Sequence, residues 1–103
     1  IFQPHRVSRL NDLKAQFETC FEHSDYVVLC PVFKAGEKIS LNVNYRKFAS
    51  NIAKKSNTIV IIIKNEKELI KFIKQNFFGE NIVIGMGAGS ISNWMKNLKF
   101  NLK

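Results

Sequence analysis

The stretch Thr58-Ile59-Val60-Ile61-Ile62-Ile63-Lys64-Asn65-Glu66-Lys67-Glu68-Leu69-Ile70-Lys71-Phe72-Ile73 decides how the rest of the chain is read. Its first residues, Thr58 to Ile63, form a short apolar run of strand length. Asn65 followed by Glu68 has the form of a capping box, in which two side chains satisfy backbone N–H groups at the start of a helix. Leu69, Ile70, Phe72, Ile73 and Phe77 then recur at helical spacing, and Gly79 is expected to close the helix. A strand thus gives way to a helix across one tight turn.

The same alternation extends in both directions. Upstream, Ile1 to Gln3 ends a strand, and Leu10, Leu13, Phe17, Cys20 and Phe21 mark a helix over residues 9–23. Tyr26-Val27-Val28-Leu29-Cys30 is continuously apolar, the pattern of a strand buried on both faces, and Pro31 stops it. Residues 31–44 are the longest irregular stretch. Asn44 is placed to cap a helix over residues 45–55 with Phe48, Ile52 and Ala53 inward. Downstream, Asn81 to Ile84 reads as a fourth strand. Gly85-Met86-Gly87-Ala88-Gly89 then turns into a last helix carrying Ile91, Trp94, Met95 and Leu98. Alternating strands and helices imply parallel strands joined by right-handed crossovers. The expected fold class is α/β, a three-layer Rossmann-like open, mainly parallel sheet with helices on both faces.

Composition narrows the function classes. With 103 residues and 46% hydrophobic content the chain is one domain with a single core. Its longest apolar run, Ile59 to Ile63, is far short of the roughly 20 residues of a membrane helix, and no signal peptide is visible. Opening on Ile1-Phe2 without a methionine, as a strand cut inside would, the chain is expected to be a piece of a longer protein. Cys20 and Cys30 have no metal or redox spacing and fall on apolar positions, so reduced, buried thiols in a cytoplasmic protein are expected. The net charge of +8 is spread over scattered lysines rather than a stripe interleaved with exposed aromatics. A solvated basic surface is expected, with neither a nucleic acid nor a membrane as partner.

Ligands of open parallel sheets bind outside the carboxyl ends of the strands. Three unusual loops fall at that edge. The first, within Gln3-Pro4-His5-Arg6-Val7-Ser8-Arg9, puts an imidazole and two guanidiniums at a strand-to-helix turn. Arg forks bind carboxylates and phosphates bidentately, and a helix N-terminus adds a favourable partial charge. His5, Arg6 and Arg9 therefore form a candidate anion grip. The second loop is Val32-Phe33-Lys34-Ala35-Gly36-Glu37. The third, Gly85 to Gly89, is not a dinucleotide fingerprint, because Ser90 stands where a third small residue belongs and no strand with an acidic end follows. Its glycines serve either tight turning and close helix packing or contact with a charged substrate group. No Gly-Lys-Ser/Thr phosphate loop, no nucleophile–base pair and no metal-ligand cluster stands out. His23 is isolated near a helix end, and Glu37 is a lone carboxylate. Taken alone, the chain resembles half of an active site.

These three loops, in this order, resemble the C-terminal domain of the Mur ligase family. The family's pattern runs close to QPHRYSR, then DVYAAGE, then GAG followed by a small or polar residue and Ile. Here they stand as Gln3 to Arg9, Pro31-Val32-Phe33-Lys34-Ala35-Gly36-Glu37, and Gly87-Ala88-Gly89-Ser90-Ile91. The match covers nearly the whole chain. Pro31 replaces the acid, Phe33 the tyrosine, Lys34 a small residue and Val7 an aromatic. The resemblance implies a full-length, ATP-dependent enzyme that joins L-alanine to UDP-N-acetylmuramate through an acyl phosphate, in peptidoglycan precursor synthesis. It implies that ATP, Mg2+ and the uridine nucleotide are held by two further domains, with none bound by this chain alone, and that the domain itself begins upstream of Ile1. Within residues 1–103 it implies that His5, Arg6 and Arg9 hold the alanine carboxylate. Phe33, Lys34, Ala35, Gly36, Glu37, Gly87, Ala88 and Gly89 would be further loop contacts. The rival is a stand-alone α/β module that binds an acidic small molecule or nucleotide with the same loops.

Overall fold

A computed structural model describes residues 1–34, 36 and 44–101, with side chains through residue 99. Local signals set most of its elements. Asn44 and Asn65 each accept a backbone N–H three residues on, from Lys47 at 3.1 Å and Glu68 at 2.9 Å, and so start α2 (Tyr45–Lys55) and α3 (Glu66–Asn76). Glu68 returns the favour by accepting from Lys64 N at 2.7 Å. At the end of α2, Asn57 takes a left-handed φ of 50° and Thr58 N donates to Ala53 O at 3.3 Å. This is a Schellman closure, and it delivers the chain directly into β2 (Ile59–Ile62).

The first helix, α1, covers Val7–Thr19, beginning and ending earlier than the spacing predicts. Residues 20–23 form a turn instead. Phe21 still reaches the core, because its N–H is held by Ser56 Oγ at 3.2 Å. The last helix, α4, covers Ile91–Asn101.

β1 (Tyr26–Leu29) pairs with β2 in parallel, Tyr26 against Ile59 through Leu29 against Ile62. On the other side of β1, Phe2 makes parallel bridges to both Leu29 and Met86. Its N–H donates to Val28 O and its carbonyl accepts from Cys30 N, both at 2.8 Å. Crossing the sheet, the order is therefore β2, β1, the Phe2 segment and the Met86 segment.

Two hydrophobic clusters take alternate residues of β1, which in a strand point to opposite faces. Val27 and Leu29 join Phe2 with Leu10, Phe21, Phe48, Ala49 and Ile52. Val28 and Cys30 join Ile63, Leu69, Ile73, Ile91 and Leu98. α1 and α2 thus cover one face of β1, and α3 and α4 the other. The burial of Val27, Val28 and Leu29 follows from this, while Tyr26 at the start of β1 is exposed, against the expectation of a strand buried throughout.

Several expectations are corrected. Asn81 to Ile84 does not form a strand. Strand identity depends on a partner, and pairing here begins only where Ile1 N donates to Ile84 O and Met86 N to Ile1 O, each at 2.8 Å. Asn81 to Val83 precede that point, and Ile82 is 91% exposed. α3 ends at Asn76, with Phe77 already extended, before Gly79 turns at φ +80°. Ala49, not Ala53, is the buried alanine of α2. Cys20 is exposed rather than buried, because it sits on the outer side of the turn that closes α1, its thiol directed at Phe17 O. No helix among the described residues is long and apolar enough to cross a membrane.

Candidate anion-binding site

Gln3 organises the strand-end edge, and it is the residue the sequence reading passed over. Its side chain is buried at 3% exposure, yet every polar atom of the carboxamide is used. Nε2 donates to Ser90 Oγ at 2.9 Å and Pro31 O at 3.3 Å, while Oε1 accepts from Ile91 N at 3.0 Å. One amide thereby ties the first loop to the second and caps the N-terminus of α4. An uncompensated buried amide is costly, so this satisfied set fixes the three loops relative to one another.

His5 follows at the next outward position of the same segment. It bridges Phe33 in parallel; Phe33 N donates to Pro4 O at 2.8 Å and Arg6 N to Phe33 O at 2.7 Å. The two rings stack, with centroids 5.6 Å apart and planes 22° from parallel. Arg6 is the N-cap residue of α1, with φ 66° and ψ 137° and no side-chain cap bond. Arg9 lies in the first turn of α1, which contains no acidic residue. Both guanidiniums are exposed, and among the described residues neither takes part in an ion pair.

The glycine turn packs against these residues. A Cβ on Gly89 would lie 2.2 Å from Phe33 Cγ, so the ring rests directly on the bare Cα. Gly87 has φ +152°, and a Cβ there would lie 2.8 Å from Gln3 O. Of the two roles open to these glycines, close packing is the one seen at both. Ala88 is exposed beside them.

An open cleft of about 480 Å³ lies on the α4 side of Phe33. Phe33, Lys34 and Gly36 line it, together with Lys64, Asn65 and Trp94. His5, Arg6 and Arg9 do not; they sit on the α1 side. Lys64 and Asn65 were missed as site residues because the loop after β2 ends at the same edge but carries no unusual motif, and Trp94 because it reads as an apolar position of the last helix. Ala35 and Glu37 fall outside the described residues. Cys30, beneath the Phe2 segment, is buried, which pushes its thiol up to about 11 and keeps it protonated. Among the described residues no three carboxylate, thiol or imidazole groups converge on a metal position.

Comparison with known proteins places the sequence in a family. No family model matches the chain. It is 51% identical over 98 residues to a UDP-N-acetylmuramate–L-alanine ligase of Pelagibacter ubique, covering 95% of this chain and 21% of that protein. Ligases of the same name from Rhodospirillum rubrum and Vesicomyosocius okutanii are 35% and 33% identical over 100% and 98% of the chain. The chain spans about a fifth of the length of these relatives. By sequence it belongs to the UDP-N-acetylmuramate–L-alanine ligase family.

Proposed function

We propose that the chain is the C-terminal, amino-acid-presenting domain of an ATP-dependent, cytoplasmic ligase that joins L-alanine to UDP-N-acetylmuramate. The observation that carries this is the exposure of Arg6 and Arg9, without an ion pair among the described residues, beside an anchored His5, on a chain similar throughout to ligases of that name. A stand-alone binding module is not favoured, since each matched relative carries several times more chain. The complete domain is a three-layer Rossmann-like sheet, supported by the two clusters on opposite faces of β1 and by its all-parallel bridges.

In this proposal the lactyl carboxylate is activated elsewhere in the protein as an acyl phosphate. The lone pair of the alanine nitrogen forms the C–N bond, the tetrahedral centre expels phosphate with the C–O electrons, and the nitrogen loses its proton. Residues of this chain bind and orient. Arg9 and Arg6 take the alanine carboxylate, and His5 faces the charge that develops on the intermediate. Holding an amine in line with an acyl carbon makes attack effectively unimolecular, worth on the order of several kcal/mol. In this proposal ATP and its metal ion are held by the rest of the protein, since the chain spans about a fifth of the length of its relatives.

The test is Arg9→Ala in the complete ligase. The KM for L-alanine is expected to rise by roughly tenfold or more, with the KM for UDP-N-acetylmuramate little changed. Equal losses on both substrates would make Arg9 a structural residue and remove the grip.

A further inference from the structure

We infer that Phe33 is a positioning residue, which holds the His5 imidazole in its working orientation and is itself held by Gly89. The inference deepens the amino-acid-binding role proposed for His5 and rests on it for its functional half.

Three contacts carry it. The backbone of Phe33 brackets His5, accepting from Arg6 N on one side and donating to Pro4 O on the other. The Phe33 ring stacks on the imidazole at 5.6 Å and 22°, which removes rotational freedom that a loop histidine would otherwise keep. The ring cannot slide away on its own account, because it is seated on Gly89. A Cβ there would fall 2.2 Å from Cγ and 2.6 Å from each Cδ. The motif that the second loop resembles has tyrosine at this position, and Phe33 keeps the ring that the stacking uses. Glycine at 89, an aromatic at 33 and histidine at 5 are thus one mechanical unit drawn from three loops. Phe33 need not touch a ligand to matter.

The measurement is proton NMR of the imidazole signals of the 103-residue chain. His23 serves as the internal reference, since its side chain is 94% exposed. Stacking displaces the His5 ring protons upfield of those of His23. Phe33→Leu is expected to abolish the displacement and leave His23 unmoved, whereas Phe33→Tyr keeps it. Gly89→Ala, whose added Cβ would press on the Phe33 ring, is expected to abolish it by displacing the ring. Preserved methyl dispersion of Val28 and Leu29 shows that each variant is folded.

In the complete ligase, Phe33→Leu is expected to raise the KM for L-alanine about tenfold while the KM for UDP-N-acetylmuramate holds, and Phe33→Tyr to restore it. His5 signals that survive Phe33→Leu would overturn the inference, and so would a lost displacement with no change in the KM for L-alanine. If His5→Ala leaves that KM unchanged, the amino-acid-binding role fails instead, and the stacking result stands apart from it.

Discussion

Arg6 holds φ 66° and ψ 137°, a backbone conformation that an L-residue adopts only when its surroundings impose it. The tertiary part of the imposition is Phe33 O, which takes its N–H at 2.7 Å, while its carbonyl accepts the first bond of α1 from Leu10 N at 3.1 Å. Strain of this kind costs about 1–3 kcal/mol, against about 0.4–1 kcal/mol for the extra freedom a glycine has in the unfolded chain. The strain is the larger, so Arg6→Gly is expected to raise the thermal unfolding midpoint of the 103-residue chain while weakening L-alanine use in the complete ligase. A lowered midpoint in calorimetry, with a native circular dichroism spectrum, would contradict it. That His5, Arg6 and Arg9 fall at one strand-to-helix turn was legible from residue types alone. The strained φ was not, because nothing in the local sequence distinguishes a forced arginine from a relaxed one. Gln3 escaped notice for a related reason, since a glutamine reads as polar surface until its three distant partners are known.

At the level of elements, α1 and α2 are joined by a polar clasp rather than by apolar contact alone. Glu18 is buried and accepts from Lys55 Nζ at 2.9 Å and Asn51 Nδ2 at 2.8 Å, while Ser56 Oγ donates to Glu18 O at 2.7 Å. Burial by itself would push the Glu18 carboxyl up. The hydrogen bonds from Lys55 and Asn51, with the charges of Lys55 and Lys14, outweigh it and hold the carboxyl below its ordinary range. A group depressed in the folded state contributes stability above its unfolded pKa, near 4.3 for glutamate, and loses it as pH falls through the folded value. The unfolding midpoint should therefore decline below about pH 4.3, and Glu18→Gln should flatten that decline. The variant should also cost on the order of 1 kcal/mol at neutral pH, read from denaturant titrations. An acid profile identical to that of the parent would show that other carboxylates dominate. Helices α2 and α3 and both strands were readable because caps and periodicity are local. The fourth strand was not, since residues 81–84 have strand composition but only a partner makes them a strand.

For the molecule as a whole, the governing facts are that one edge of one sheet carries the candidate residues that lie among the described ones, and that the chain spans about a fifth of the length of its relatives. The 103-residue chain alone is expected to show no ligase turnover in a phosphate-release assay and no retention of ATP in equilibrium dialysis. Turnover by the purified chain would refute the division of labour proposed above. The placement of the loops at that edge was legible, because parallel topology dictates it. Their mutual contacts were not: the Phe33 ring on Gly89 and the Gln3 amide on Ile91 join residues far apart in sequence, which no local pattern encodes.

That separation bears on the order in which the protein acquires its shape. Gln3 meets Ile91 across 88 positions, and Phe2 is bridged to Met86. Closing so long a loop carries an entropic cost that must be met before its contacts reward it. Within residues 1–103, synthesis on the ribosome releases the histidine-bearing loop before the glycine turn, so that loop cannot settle until residue 91 has emerged. Of the three loops, the one made earliest is completed last.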